Sequence, residues 1–239
     1  MTELNAETRE KLLQVSVATL ATALFKLGFR NQTIQAVRPL KAKGRNMVGP
    51  AYTLRYVPAR EDRNGIEVFR NPEHPQRKGV ESCPPGAVMV IDSRKDPRAA
   101  SAGDILVARL QARGVAGVVS DGGFRDATKI AELDIPAYHI RPSSPTNLTR
   151  HEALDLNVPI GCGDVAVFPG DIVVGDDESV IVIPTHLADD IAQEAYEMTA
   201  YEDFVSERVK AGETIVGLYP ATDPKNLKIF AAWRKERSR

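Results

Sequence analysis

Three short apolar runs constrain this chain more than any other feature: AVMVI at 87–91, VAGVV at 115–119 and IPAYHI at 135–140. Each is too short for a helix and is bounded by polar or turn residues. Such runs suit strands covered on both faces. Between them lie segments with helical character, about 102–113 and 126–133. Strand, helix, strand, helix, strand at this spacing implies right-handed crossovers and a partly parallel sheet. The fold class is therefore α/β.

The flanking segments extend that core. Residues 7–28 read as one amphipathic helix, with Leu12, Leu13, Val17, Leu20, Leu24 and Leu27 at helical spacing and Gly28 as terminator. Strand-like runs follow at 33–37 and 48–57, separated by a basic turn at 41–46. In the second run Tyr52, Leu54 and Tyr56 alternate with Thr53, Arg55 and Val57. Residues 60–81 are rich in Arg, Glu, Asn and Pro, with 66–69 as their only apolar cluster, and read as an irregular excursion containing one helical turn. Short strands at 158–160, 165–168, 171–174 and 179–183, joined by Gly, Pro and Asp turns, give a β-meander or small-barrel signal. Pro184 opens a long helix to about 210, whose stripe of Leu187, Ile191, Ala195, Met198, Val205 and Val209 is interrupted by Glu202. The expectation is a single domain over 1–239 with a peripheral tail from about 213, which Ile229, Phe230 and Trp233 could dock, on this chain or on a neighbouring subunit.

Composition removes several function classes. The net charge of −1 gives no basic field for nucleic acid. Cys83 and Cys162 are too few for a disulfide framework or a metal clip and suit a reducing compartment. No leader and no apolar run of membrane-spanning length is visible, so the expected location is cytoplasmic, away from any membrane.

Candidate chemistry concentrates at 99–126, AASAGDILVARLQARGVAGVVSDGGFRD. The first-turn amides after Gly103, at Asp104, Ile105 and Leu106, can bind an anion, while Asp104 alone could equally serve the helix dipole. Asp121-Gly122-Gly123-Phe124-Arg125-Asp126 follows an apolar strand, where ligands of parallel sheets gather. Its glycines allow positive φ and close backbone approach. Arg125 can hold a carboxylate or stabilise an enolate oxygen. Asp126 suits Mg²⁺ or Mn²⁺, or it is a plain N-cap. Glu202 either pairs with an arginine or reaches a site shared with another subunit. The acidic clusters at 169–171 and 176–178 read as hairpin turns. His74, His139, His151 and His186 lack metal-ligand spacing, Lys95 and Lys129 lack the apolar surroundings of an imine-forming lysine, and no nucleotide-binding glycine loop is present.

GDIL at 103–106, QARG at 111–114 and VSDGGFRD at 119–126, followed by PGDIVVGDDESVIVIP at 169–184, resemble the regulator of ribonuclease activity A-like proteins. Within that family the chain is most similar to the class II 4-hydroxy-4-methyl-2-oxoglutarate/4-carboxy-4-hydroxy-2-oxoadipate aldolases, over about 48–212. The resemblance implies a swivelling β/β/α domain, a mixed sheet with helices, assembled as a homotrimer or homohexamer. It implies that Asp126 ligates the divalent metal, that Asp104 holds water on it, and that Arg125 contacts the keto acid and its enolate. The amides from Gly103 through Leu106 would bind the substrate carboxylate, and Glu202 would come from a neighbouring subunit. The implied partner is a small 2-oxo acid and the implied activity a metal-dependent carbon–carbon lyase. A sugar-acid dehydratase and a non-catalytic ribonuclease-binding regulator are the alternatives. The chain departs from the family in its longer 60–81 excursion, its longer tail, and Glu178-Ser179 where Asp-Gly is usual.

Overall fold

The computed structural model describes residues 4–237. Two helices, α1 (Ala6–Leu12) and α2 (Val17–Lys26), replace the single one expected from the leucine spacing. The break comes from Ser16, whose hydroxyl accepts from Thr19 N at 3.1 Å and so caps a new helix. Asp176 Oδ2 adds a second acceptor for that helix start, at 2.8 Å from Val17 N. Residues 33–37 make only an isolated bridge, Thr33 to Ile181, before the two-residue strand β1 (Arg38–Pro39).

The frame is set by β2 (Met47–Pro58), long enough to serve two directions of pairing. Its middle pairs in parallel with β3 (Val88–Asp92), from Ala51↔Val88 to Arg55↔Asp92. Downstream come β4 (Ala100–Ala102), α4 (Asp104–Ala112), β5 (Gly117–Ser120), β6 (Gly123–Phe124), α5 (Ala127–Glu132), β7 (Ala137–His139) and β8 (Arg141–Pro142). β3, β5 and β7 continue the sheet in parallel, and β1 closes that edge antiparallel to β7. On the opposite edge of β2, its last residues pair with β9 (His151–Leu156), a strand without a clear apolar signature. Its first residues pair with β12 (Ile172–Gly175), which carries β13 (Val180–Ile183).

The sheet is covered on both faces, which is why its strands read as unbroken apolar runs. The hairpin of β10 (Ile160–Cys162) and β11 (Val165–Val167) buries Ile160, Cys162, Val165 and Val167 against Val88, Val90 and Val119. Helix α4 and the helix α3 (Pro75–Ser82) pack on the other face around Leu54, Met89 and Leu110. A separate cluster joins α1 and α2 to the long helix α6 (Ala188–Lys210). This is a mixed α/β architecture with β/β/α layering. The excursion at 60–81 is more ordered than its composition suggests: a 3₁₀ turn at Ile66–Arg70 precedes α3. The tail folds back as α7 (Pro224–Glu236), with Phe230 and Trp233 against Phe204 of the same chain and Ile229 exposed.

Candidate active site

The predicted residues meet because of a small second sheet. β4, β6 and β8 pair in parallel, with Ala100↔Gly123 and Gly123↔Arg141 in register. Parallel strands end on the same side, so Gly103-Asp104 after β4 lies beside Arg125-Asp126 after β6. Arg125 N donates to Ala102 O at 3.0 Å and locks the two ends together. Residues 121–122 carry the chain from β5 into this sheet. Asp121 is fully buried there and accepts from Ser93 N at 2.6 Å, Gly163 N at 3.0 Å and Lys95 N at 3.2 Å. Burial nevertheless pushes its carboxyl up to about 6. Its role is to hold loops, not ligands.

Gly122 and Gly123 are not at positive φ; that conformation falls on Asp126, at φ 54°. A left-handed aspartate at a strand end is a local strain that a binding site can use. Asp126 occupies the N-cap position of α5, yet its side chain makes no capping bond there. Its Oδ2 accepts from Arg125 Nε at 3.1 Å instead. The plain-cap alternative for Asp126 therefore fails. Arg125 leaves its two terminal nitrogens without a protein partner among the described residues. Asp104 starts α4 and pairs with Lys129 Nζ at 3.4 Å, and no side chain caps the amides of that first turn.

Gly103, Asp104, Ile105, Leu106, Arg125 and Asp126 all line one cavity of about 180 Å³. That is below the ~300–1,000 Å³ of drug-sized ligand sites and suits a small acid. Ala100 and Ala102 of β4 complete that side, and the rest of the wall comes from residues outside the predicted stretch: Phe69, Gln76, Arg77, Thr146 and Asn147. Gln76 and Asn147 are buried, and Gln76 Nε2 donates to Ser101 O at 2.8 Å and to Tyr56 Oη at 2.9 Å. Tyr56 Oη in turn donates to Ser101 O at 3.0 Å, giving the cavity a rigid polar floor. The signal for Phe69, Gln76 and Arg77 was weak, since a polar excursion reads alike whether it solvates or lines a pocket.

Glu202 does not reach this cavity within one chain. Its carboxylate accepts from Thr19 Oγ1 at 2.9 Å and Tyr219 Oη at 3.2 Å, so two hydroxyls replace the arginine expected as its partner. Lys95 pairs with Asp164 at 2.6 Å, which raises its pKa, the opposite of what imine chemistry requires. Asp171 and Asp176 accept backbone N–H groups in their turns. Among the described residues no group of three His, Cys, Asp or Glu side chains converges as a metal cage. Asp126 and Asp104 offer hard carboxylate oxygens at the cavity, a donor set that fits Mg²⁺ or Mn²⁺ keeping most of its shell from water or substrate.

Residues 17–182 match the family model described as RraA-like, Aldolase/RraA. The chain belongs to the RraA-like family. The matched residues hold the whole Gly103–Asp126 unit, while Glu202 lies beyond them. A relative from Halalkalibacterium halodurans, named as a proposed 4-hydroxy-4-methyl-2-oxoglutarate aldolase, is 32% identical over 76% of this chain and 79% of its own. Protein DlpA of Legionella pneumophila is 23% identical over 86% of this chain, which spans 32% of that protein. Among solved structures, Streptomyces coelicolor RraAS2, described as an unusual member of the RNase ES inhibitor RraA protein family, superposes with a TM-score of 0.75. It is 29% identical, over 85% of this chain and 98% of that one. The Streptomyces protein thus shares the fold of this chain. Among the described residues, no helix is long and apolar enough to cross a membrane.

Proposed function

We propose that the protein is a divalent-metal-dependent lyase that cleaves the C3–C4 bond of a 4-hydroxy-2-oxo acid to release pyruvate. The observation that carries this reading is the pairing of Gly103-Asp104 with Arg125-Asp126 at the ends of two parallel strands, over a cavity sized for a small acid. The named aldolase relative supports the same chemistry. Mg²⁺ or Mn²⁺ held by Asp126, with Asp104 beside it, would supply Lewis-acid polarisation of the 2-oxo group. The first-turn amides of α4 bind the substrate carboxylate. Arg125 directs its free terminal nitrogens to the C2 oxygen. Asp104 takes the proton of the C4 hydroxyl, directly or through water. The C3–C4 bond then breaks, C4 becomes a carbonyl carbon, and its electron pair spreads over C3 and the C2 oxygen as an enolate. A proton returned to C3 completes pyruvate. Oxaloacetate, losing CO₂ instead of a carbonyl compound, reaches the same enolate. Glu202 would join this site from another copy, in a homotrimer or homohexamer.

The test is pyruvate release from 4-hydroxy-2-oxo acids and from oxaloacetate with Mg²⁺ or Mn²⁺, for wild type and Asp126→Ala. Metal-dependent turnover that is abolished by chelator and by Asp126→Ala is expected. Turnover indifferent to both sinks the mechanism. No turnover together with tight ribonuclease binding favours the regulator reading, in line with the RNase ES inhibitor family that includes the Streptomyces protein.

A further inference from the structure

Packing of the tail on α6 leaves a second cavity, of about 480 Å³, most of whose walls lie beyond the residues that match the family model. It is larger than the candidate active site and falls within the ~300–1,000 Å³ typical of small-molecule sites. The tail is tied down on both sides of it. Leu218 is buried with Phe204 and Val205, and its carbonyl accepts from Tyr201 Oη at 2.6 Å. Asn226 Nδ2 donates to Gly217 O at 2.9 Å, and Asp223 caps α7. Residues 219–221 wall the resulting cleft, and Met198, Tyr201, Leu227 and Phe230 give it apolar sides. Phe230 meets Tyr201 edge-on at 5.1 Å, which fixes both rings.

The charges along this cleft are unevenly paired. Glu194 holds Lys26 at 2.6 Å, and Glu197 holds Arg234. Glu202, half-buried in the same cleft, has only the hydroxyls of Thr19 and Tyr219 as partners and makes no ion pair among the described residues. A carboxylate accepts about four hydrogen bonds, so two hydroxyls leave room for a charged donor. Apolar and aromatic walls beside an unpaired carboxylate complement a cation carried on an apolar body. We propose that this cleft is a binding site for a small organic cation, a primary ammonium on an aromatic or aliphatic body, with Glu202 as its counter-ion. The inference goes beyond the lyase reading and does not depend on it, since the site needs neither a metal nor a 2-oxo acid.

The test uses 2-phenylethylammonium, 2-phenylethanol and 3-phenylpropanoate, which share a phenylethyl body and end in a cation, a neutral hydroxyl and an anion. Calorimetry on the whole chain reads affinity. Fluorescence of Trp233, the only tryptophan, reads location, because Trp233 stacks on Phe230 at 6.0 Å. Wild type is expected to bind the ammonium about 10-fold more tightly than the alcohol, the scale of one hydrogen bond to a charged group, and the propanoate least. Glu202→Gln keeps the shape, removes the charge and should erase that preference. Ala221→Phe keeps the charge, fills the cleft and should weaken all the probes. Melting curves of both variants separate a lost fold from a lost site. Equal wild-type affinities for the ammonium and the alcohol, a preference that survives Glu202→Gln, or binding untouched by Ala221→Phe overturns the proposal. Binding of no probe also overturns it, and a mass in light scattering that falls on Ala221→Phe then assigns the cleft to a second copy of the chain. No probe is a 2-oxo acid and the assay holds no metal, so each of these outcomes leaves the lyase reading standing.

Discussion

Gly103→Ala separates site geometry from stability. Gly103 is extended, at φ −128° and ψ 179°, so alanine meets no backbone strain there. Its new methyl would stand 2.9 Å from Arg125 Cγ, 3.2 Å from Cδ and 3.4 Å from Asp126 Oδ2. Carbon atoms prefer about 3.5–4.0 Å, so Arg125 has to give way by roughly 0.5–1 Å near its root, and its guanidinium swings further. A misplacement of about 1 Å in a positioning group costs on the order of 10²-fold, or about 2.7 kcal/mol in kcat/KM. The fold loses much less. Alanine for glycine at an N-cap costs up to about 1 kcal/mol, which shifts Tm by about 2–4 °C for a chain of this size. The assays are kcat/KM for pyruvate release, the dissociation constant of 2-oxoglutarate, and a melting curve. Unchanged kcat/KM and unchanged affinity would refute the close approach of Gly103 to Arg125 as a site requirement.

Two further outcomes follow from the packing. His139 is buried beneath Phe124, stacked at 5.6 Å, with Nδ1 lacking a partner among the described residues, and burial lowers its pKa to about 4. The unfolded chain takes up that proton below about 6.5, so stability is full above this pH and falls by about 3 kcal/mol as pH drops toward 4. Asp121, raised to about 6, contributes with the opposite sign over part of that range. It cancels in the comparison of wild type with His139→Gln, whose denaturant midpoint should lose less on acidification; parallel curves would contradict the assignment. Trp233 packs on Phe204 at 5.8 Å and donates to Glu207 Oε2 at 2.8 Å. Trp233→Ala should cost about 2 kcal/mol of tail docking, roughly half the loss for a fully buried Trp, and speed amide exchange in α7 alone. Exchange spreading into the central sheet would show that the tail is no separate unit.

The sheet was legible in the sequence because β3, β5 and β7 are covered on both faces, and that demand writes unbroken apolar runs such as Val88–Asp92 into the chain. The residues of the Gly103–Asp126 unit were legible as candidates because a helix start and a glycine turn follow buried strands, although Asp104 and Asp126 each had a capping use as well. What the sequence left undecided depends on partners distant along the chain. Ser16 splits the first helix through a local cap that competes with the leucine spacing. β9, half-buried and mixed in charge, is a strand only because β2 offers it an edge. The joining of β4 to β6, which sets Arg125-Asp126 beside Gly103-Asp104, is a parallel pairing between separate segments. Composition marked 60–81 as polar, but the close packing of α3 on β9 and the placing of Phe69, Gln76 and Arg77 at the cavity are tertiary. The sequence by itself thus determined the layers and named the metal-and-enolate candidates, because burial and turn chemistry are local demands. Which cations and floor residues share that cavity, and the placement of Glu202 outside it in one chain, were decided by tertiary contacts that no local pattern encodes.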